Sequence, residues 1–277
     1  MPIRPKPSNL TQRIITGLAG AAVIIAAVVI GEWTYFGIFL GICVLSLLEF
    51  YKLSGLDGMI PLKSYGTFCG ISIFTLTFLI ESGRLPANYY FVLFPLVSIV
   101  YMIKLYKKFE RKPFTNIAYT FLGIFYVSVP FSLLSAIAFH NDSYHYEIIL
   151  GSLLILWASD TGAYFAGTFF GRNKLFERIS PKKSWEGFFG GALLALVFAF
   201  GLATYYPVLD KLQWVVISLI IIVGGTFGDL IESLLKRSIE IKDSGASLPG
   251  HGGFLDRFDG LLLSSPFILA YLELWVG

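Results

Sequence analysis

The chain is short of charge. Only 14% of its 277 residues are Asp, Glu, Lys or Arg, against about a quarter in an ordinary soluble domain. Histidine is scarce at 3, and cysteine scarcer at 2. Cys43 and Cys69 each stand alone in an apolar run, with no CxxC pair and no Cys/His cluster. That argues against zinc and leaves both as small buried hydrophobes. Neither a P-loop nor a dinucleotide fingerprint is present. No internal repeat, soluble domain or low-complexity linker stands out. The net charge of +3 gives no sign of a nucleic-acid partner, and none is expected.

What fills the chain instead is apolar: 56% of residues are hydrophobic and 17% aromatic. They come in blocks of the length a helix needs to cross a bilayer, roughly 18–25 residues. Nine spans are predicted, at 14–31, 33–48, 65–80, 88–103, 114–139, 147–170, 186–206, 212–235 and 260–276. The expected fold class is therefore an all-α integral membrane protein, a single polytopic membrane domain over 1–277. Arg4, Lys6 and Arg13 before the first block could mark a secretory signal. The run is long for one and further spans follow at once, so an uncleaved first span is the better reading. Pro130 in the fifth block predicts a kink. Gly190–Gly191 and Gly224–Gly225 predict close helix approach.

The basic residues test this count. With the N-terminus cytoplasmic, 19 of the 21 lysines and arginines fall in cytoplasmic segments, and only Arg84 and Lys211 fall outside. Lys and Arg favour that side, so the expected topology is N-terminus cytoplasmic and C-terminus external. His140, Asp142 and His145 then lie on the outer side.

The unusual residues concentrate in 146–277, the expected catalytic half. Residues 1–145 read mainly as scaffold or interface spans, which makes a homodimer plausible. Asp160, Asp229 and Glu232 lie in or at the edge of late spans, where an unpartnered carboxylate is costly. Asp229, Ser233 and Lys236 are spaced to share one helix face, which suits a polyanion held through a metal; a salt-bridge ladder is the plain alternative. A glycine-rich loop follows, containing Lys242, Asp243, His251, Gly252 and Gly253, and glycines there let backbone N–H groups approach phosphate. Asp256 and Asp259 are three apart, and two carboxylates on one face repel unless a cation lies between them. Hard oxygen donors at a phosphate site point to Mg²⁺. The earlier connection adds Arg172, Lys182 and Lys183, which could equally serve the positive-inside rule or hold anionic lipid.

The residues Ser233, Lys236-Arg237, Lys242-Asp243, Gly245, Leu248-Pro249, His251-Gly252-Gly253, Asp256-Arg257 and Asp259 resemble the signature of phosphatidate cytidylyltransferases, also called CDP-diglyceride synthases. Asp160–Tyr164, Gly171-Arg172 and Ser180–Gly187 look like further family segments. The resemblance is strong over about residues 150–277; the first half is similar only in hydropathy. It implies the reaction of CTP with phosphatidic acid to give CDP-diacylglycerol and pyrophosphate, a precursor step of phospholipid biosynthesis at the bilayer. It also implies Mg²⁺, with a monovalent cation such as K⁺ as a second ion in a paired site.

Under this resemblance Asp229, Asp256 and Asp259 are expected as metal ligands. Lys236, Arg237, Lys242 and Arg257 are expected as phosphate clamps. Ser233, Asp243, His251, Gly252 and Gly253 complete the substrate site, and Arg172, Lys182 and Lys183 are candidates for the lipid phosphate or the nucleotide tail. The expected location is the bacterial cytoplasmic (inner) membrane, with the active site facing the cytoplasm. Rival readings fit less well. Asp256–Gly260 matches the start of the motif of CDP-alcohol phosphatidyltransferases, but Leu261–Ser264 departs from its continuation. A lipid kinase would need a base beside a hydroxyl. A transporter would place its carboxylates near mid-membrane in two related halves.

Overall fold

The computed structural model describes residues 9–56, 58–241 and 253–276, with side chains described from Thr16 onward. Among these residues the chain runs through nine long helices: α1 (Asn9–Ile30), α2 (Glu32–Leu56), α3 (Lys63–Glu81), α4 (Ala87–Leu105), α5 (Pro113–Ala138), α6 (Tyr146–Phe170), α7 (Trp185–Tyr205), α8 (Lys211–Ser238) and α9 (Leu255–Trp275). The helices α2 to α9 hold 19 to 28 residues each and are apolar enough to cross a membrane. At 1.5 Å per residue even the shortest rises about 28 Å, close to the thickness of a hydrocarbon core. The described apolar part of α1 is Thr16–Ile30. Helices are the expected solution in lipid, because each satisfies its own backbone hydrogen bonds.

The kink expected at Pro130 takes the form of a π-helical turn, Ile124–Ser128, directly before it. Proline lacks an N–H and its ring crowds the carbonyl four residues back, and a wider turn accommodates both. The sequence also gives no hint of β structure, yet the 171–185 connection holds a small antiparallel hairpin. Strand β1 (Lys174–Phe176) pairs with β2 (Ser180–Ser184). Glu186 closes the base of this hairpin. Its carboxylate accepts from the backbone N–H of Arg172 at 3.1 Å and from the Asn173 side-chain amide at 2.7 Å. Ser184 then caps α7 by accepting from the Gly187 N–H.

Contacts between connections sort the helix ends into two faces. On one face Lys104 pairs with Glu110 and donates to the Ile60 carbonyl, while the Ile60 N–H donates to Asn116. On the other, Arg84 pairs with Glu32, and the Tyr144 hydroxyl donates to the Val28 carbonyl. The first face also carries the meeting of α2 with the start of α9, where Glu49 accepts from the Phe254 N–H at 2.8 Å. The ends of the helices therefore alternate between faces as the nine-span reading requires.

Small residues decide how closely the late helices approach. A Cβ on Gly191 of α7 would come within 2.6 Å of the Ser159 carbonyl oxygen on α6. A Cβ on Gly228 of α8 would overlap the Asp259 carbonyl on α9. The expected close approach at the glycine pairs is present, and Gly228 adds a contact at the catalytic residues themselves. Beneath this lies a core of large side chains, including Tyr35, Phe39, Phe50, Phe131 and Trp214. Many apolar side chains point outward, among them Leu18, Phe94, Phe165 and Val197, as lipid-facing positions should.

Candidate active site

A cavity of about 1160 Å³ opens among α1, α2, α6, α8, α9 and the hairpin. It exceeds the roughly 300–1,000 Å³ of common small-molecule pockets, so it has room for more than one substrate. Its walls differ in chemistry. From α1 and α2 come Gly20, Val23, Ile24 and Ile42. Opposite in character are Asp160, Asp229, Glu232, Asp256 and Asp259, together with Lys182, Lys183, Lys236 and Arg257. Apolar α1 residues therefore form part of the site, which the sequence placed in the scaffold half. The small residues Gly17, Gly20 and Ala21 were the available signal.

At the polar wall, Asp229, Glu232 and Asp259 each offer a carboxylate oxygen, and the three oxygens lie within 4.8 Å of one another. Helix spacing puts Asp229 and Glu232 one turn apart, and the Gly228 contact brings Asp259 alongside. Glu232 is almost fully buried, and its Oε1 has no hydrogen-bond partner. A buried carboxylate oxygen left without a partner is costly, and a cation at this position would remove the cost. The hard oxygen donors suit a divalent cation such as Mg²⁺.

The three expected metal ligands are not grouped as the sequence spacing suggested. Asp229 and Asp259 meet Glu232; Asp256 lies outside that group. One Asp256 oxygen is 3.3 Å from the Lys236 ammonium and the other accepts from the Gly253 N–H at 3.2 Å. Asp256 stands in the first turn of α9, where a carboxylate is favoured by the free N–H groups and the helix dipole. Asp259 lies one turn further along, beside α8, with its Oδ1 accepting from its neighbour's Gly260 N–H at 2.7 Å. Position along the helix separates the two roles.

The cations interleave with these acids. Lys183 pairs with Asp229 at 2.6 Å and donates to the Thr226 carbonyl. Lys236 pairs with both Glu232 and Asp256. The Ser233 hydroxyl donates to Asp229 at 3.3 Å, so the acid and hydroxyl of that face are joined as the spacing predicts, while its base turns to other carboxylates. Lys182 and Arg257 line the cavity. Arg237 is exposed at the cytoplasm-proximal end of α8 by the expected topology and lines a neighbouring hollow. Arg172 lines neither cavity; its backbone is held by Glu186. Lys242, Asp243, His251 and Gly252 fall outside the described residues.

Glu49 was not anticipated. It is 5% exposed on α2 and accepts from the N–H groups of Phe254 and Leu255, at the start of α9. It thereby fixes the end of the helix that carries Asp256, Arg257 and Asp259. A glutamate inside an apolar span was the only sequence signal for it.

Comparison with known proteins agrees with this arrangement. The Cytidylyltransferase family model matches residues 11–275. The chain belongs to the Cytidylyltransferase family. Among similar family members, the phosphatidate cytidylyltransferase of Bacillus subtilis (strain 168) is 33% identical over 274 residues, covering 96% of this chain and 99% of the relative. That of Haemophilus influenzae (strain ATCC 51907 / DSM 11121 / KW20 / Rd) is 29% identical, with 93% and 96% covered. The Staphylococcus haemolyticus (strain JCSC1435) enzyme of the same name is 37% identical over 160 residues, 57% of this chain and 60% of the relative. Family membership thus extends through the first half, where the motifs are silent.

Proposed function

We propose that this chain is a phosphatidate cytidylyltransferase, converting CTP and phosphatidic acid into CDP-diacylglycerol and pyrophosphate. The observation that carries the reading is the cavity itself: three converging carboxylates and several lysines along one wall, with apolar helix surface along another. An amphiphile with a phosphate head fits such a space, and its size leaves room for a nucleotide. The names of the similar bacterial proteins support the same substrates.

The chemistry asks little of a general base. The attacking group is a phosphate oxygen of the lipid, already anionic at neutral pH. It forms a bond to the α-phosphorus of CTP. The bond from that phosphorus to the oxygen bridging to the β-phosphate breaks, and pyrophosphate leaves with the electron pair. The obstacle is repulsion between two anions, so positioning and charge neutralisation dominate. Asp229, Glu232 and Asp259 would hold Mg²⁺, which when bound neutralises phosphate charge. Lys183 and Arg257 are placed to receive phosphate oxygens at the cavity wall, and Lys182 reaches the same space from the hairpin. Lys236 is held by Glu232 and Asp256, fixing its ammonium among the acids.

By the distribution of Lys and Arg, the site faces the cytoplasm, where CTP is available, and the acyl chains stay beside α1. The test is incubation of the purified chain with CTP, phosphatidic acid and Mg²⁺, with lipid products resolved by mass. The expected products are CDP-diacylglycerol and one pyrophosphate for each. Release of CDP with a newly phosphorylated lipid would instead identify a kinase and overturn the proposal.

A further inference from the structure

Beside the main cavity lies a second hollow of about 420 Å³ at the junction of the hairpin and the end of α8. It is lined by Ile179, Ser180, Pro181, Lys182, Ser233, Lys236 and Arg237. Its chemistry is the reverse of its neighbour's. The main cavity is lined by five carboxylates; no carboxylate lines this one among the described residues. Three cationic side chains and two hydroxyls face it instead. Lys182 and Arg237 are exposed, and neither has an ion-pair partner among the described residues.

The two spaces adjoin. Ser180, Lys182 and Lys236 line both. Ser233 lines the second, while its hydroxyl donates to Asp229 of the carboxylate group in the first. The apolar residues of α1 and α2 line only the first. A lipid acyl chain therefore has a wall in the main cavity and none in the second. A small, highly charged anion finds the opposite balance.

We propose that this second hollow is a subsite for the pyrophosphate portion of the nucleotide, holding the β- and γ-phosphates during reaction and the released pyrophosphate afterwards. The inference rests on the proposed cytidylyltransferase reading. It gives the two products separate surroundings: the lipid product remains beside α1, and pyrophosphate sits among Lys182, Lys236 and Arg237. In-line displacement separates the attacking and leaving oxygens, and a leaving-group site distinct from the lipid wall meets that requirement. Arg237 contributes a planar fork that can donate twice to one phosphate group.

The reaction run backwards tests this directly. In that direction a pyrophosphate oxygen bonds to the cytidylyl phosphorus of CDP-diacylglycerol, phosphatidate leaves, and CTP forms. The purified full chain is supplied with CDP-diacylglycerol, Mg²⁺ and varied inorganic pyrophosphate. Arg237→Gln and Lys182→Gln should each raise the half-saturating pyrophosphate concentration about tenfold or more, the scale of a lost charge-assisted contact. The half-saturating CDP-diacylglycerol concentration should change less than about twofold, because the lipid side is intact. Arg237→Lys should recover part of the loss. Protection of the same proteins by magnesium pyrophosphate against thermal unfolding in detergent gives a readout that needs no turnover.

An unchanged pyrophosphate dependence in both glutamine variants would overturn the subsite. So would a change that falls on the lipid substrate instead, which would assign the hollow to the lipid headgroup. Wild-type protein that turns over in neither direction would overturn the cytidylyltransferase reading itself, and the subsite with it.

Discussion

The Lys183 ammonium lies 2.6 Å from the Asp229 carboxylate, and Asp229 is one of three acids that converge at the polar wall. The lysine comes from the hairpin and the aspartate from α8, so one contact ties a phosphate-binding candidate to a metal-binding candidate. The ammonium supplies positive charge where a cation would otherwise supply it.

Competition between that ammonium and a metal ion has a measurable sign. Lys183→Gln should lower the Mg²⁺ concentration needed for half-maximal thermal stabilisation, because a rival positive charge is gone. The same variant should raise the KM for phosphatidic acid about tenfold, through loss of a charged phosphate contact. Weaker Mg²⁺ binding in the variant would mean that Lys183 orders Asp229 and does not compete at it.

The carboxylate group should matter through charge. Asp229→Asn and Asp259→Asn each keep the side-chain shape and remove one negative charge. Turnover should fall about 10²–10³-fold in each, the scale of a lost electrostatic contribution to a transition state. Titration with Mg²⁺ should show a higher half-maximal concentration, and chelation of divalent ions should abolish wild-type turnover. Near-normal rates with unchanged Mg²⁺ dependence would remove these residues from the site.

The close contact of α8 with α9 sets a steric prediction. Gly228→Ala places a methyl group against the backbone of Asp259 and Gly260. Helices that must part at this point lose about 1–3 kcal/mol, and the carboxylates separate with them, so turnover should fall with melting temperature. Gly201→Ala is the control, since nothing lies within 4 Å of the added carbon. Equal behaviour of the two variants would show that the contact is not needed.

Glu49 offers a test from the first half of the chain. Glu49→Ala removes the acceptor for the Phe254 and Leu255 N–H groups, a loss of about 0.5–2 kcal/mol for a helix cap. Because α9 carries Asp256 and Asp259, kcat should fall as well. Glu49→Gln keeps one acceptor oxygen and should recover much of both. A variant with full stability and full kcat would leave Glu49 without a role.

The orientation of the two faces is open to reporter fusions. A fusion after Lys112 or Lys183 should read cytoplasmic, and one near Asp142 or at the C-terminus should read external. The motive is the placement of 19 of 21 basic residues on alternate connections. A cytoplasmic C-terminus would invert this assignment.

Hydropathy and composition were enough to determine the helices, their number and the alternation of their ends. Each span is long and apolar, and in lipid such a segment satisfies its own backbone whatever its neighbours do. The acids and bases of the late spans were legible for a related reason: a charge is conspicuous where it costs most. Partnership was not legible. Spacing put Asp256 and Asp259 on one helix face, but it could not say that Asp256 turns to Lys236 while Glu232 joins Asp229 and Asp259. Nor could it bring Glu49 to a helix that begins more than two hundred residues later, or set α1 as an apolar wall of the cavity. Those outcomes depend on which helix surfaces pack together, and small residues such as Gly228 fix that packing by admitting a neighbouring backbone. A periodic pattern shows which residues share a face; only tertiary packing shows what that face meets.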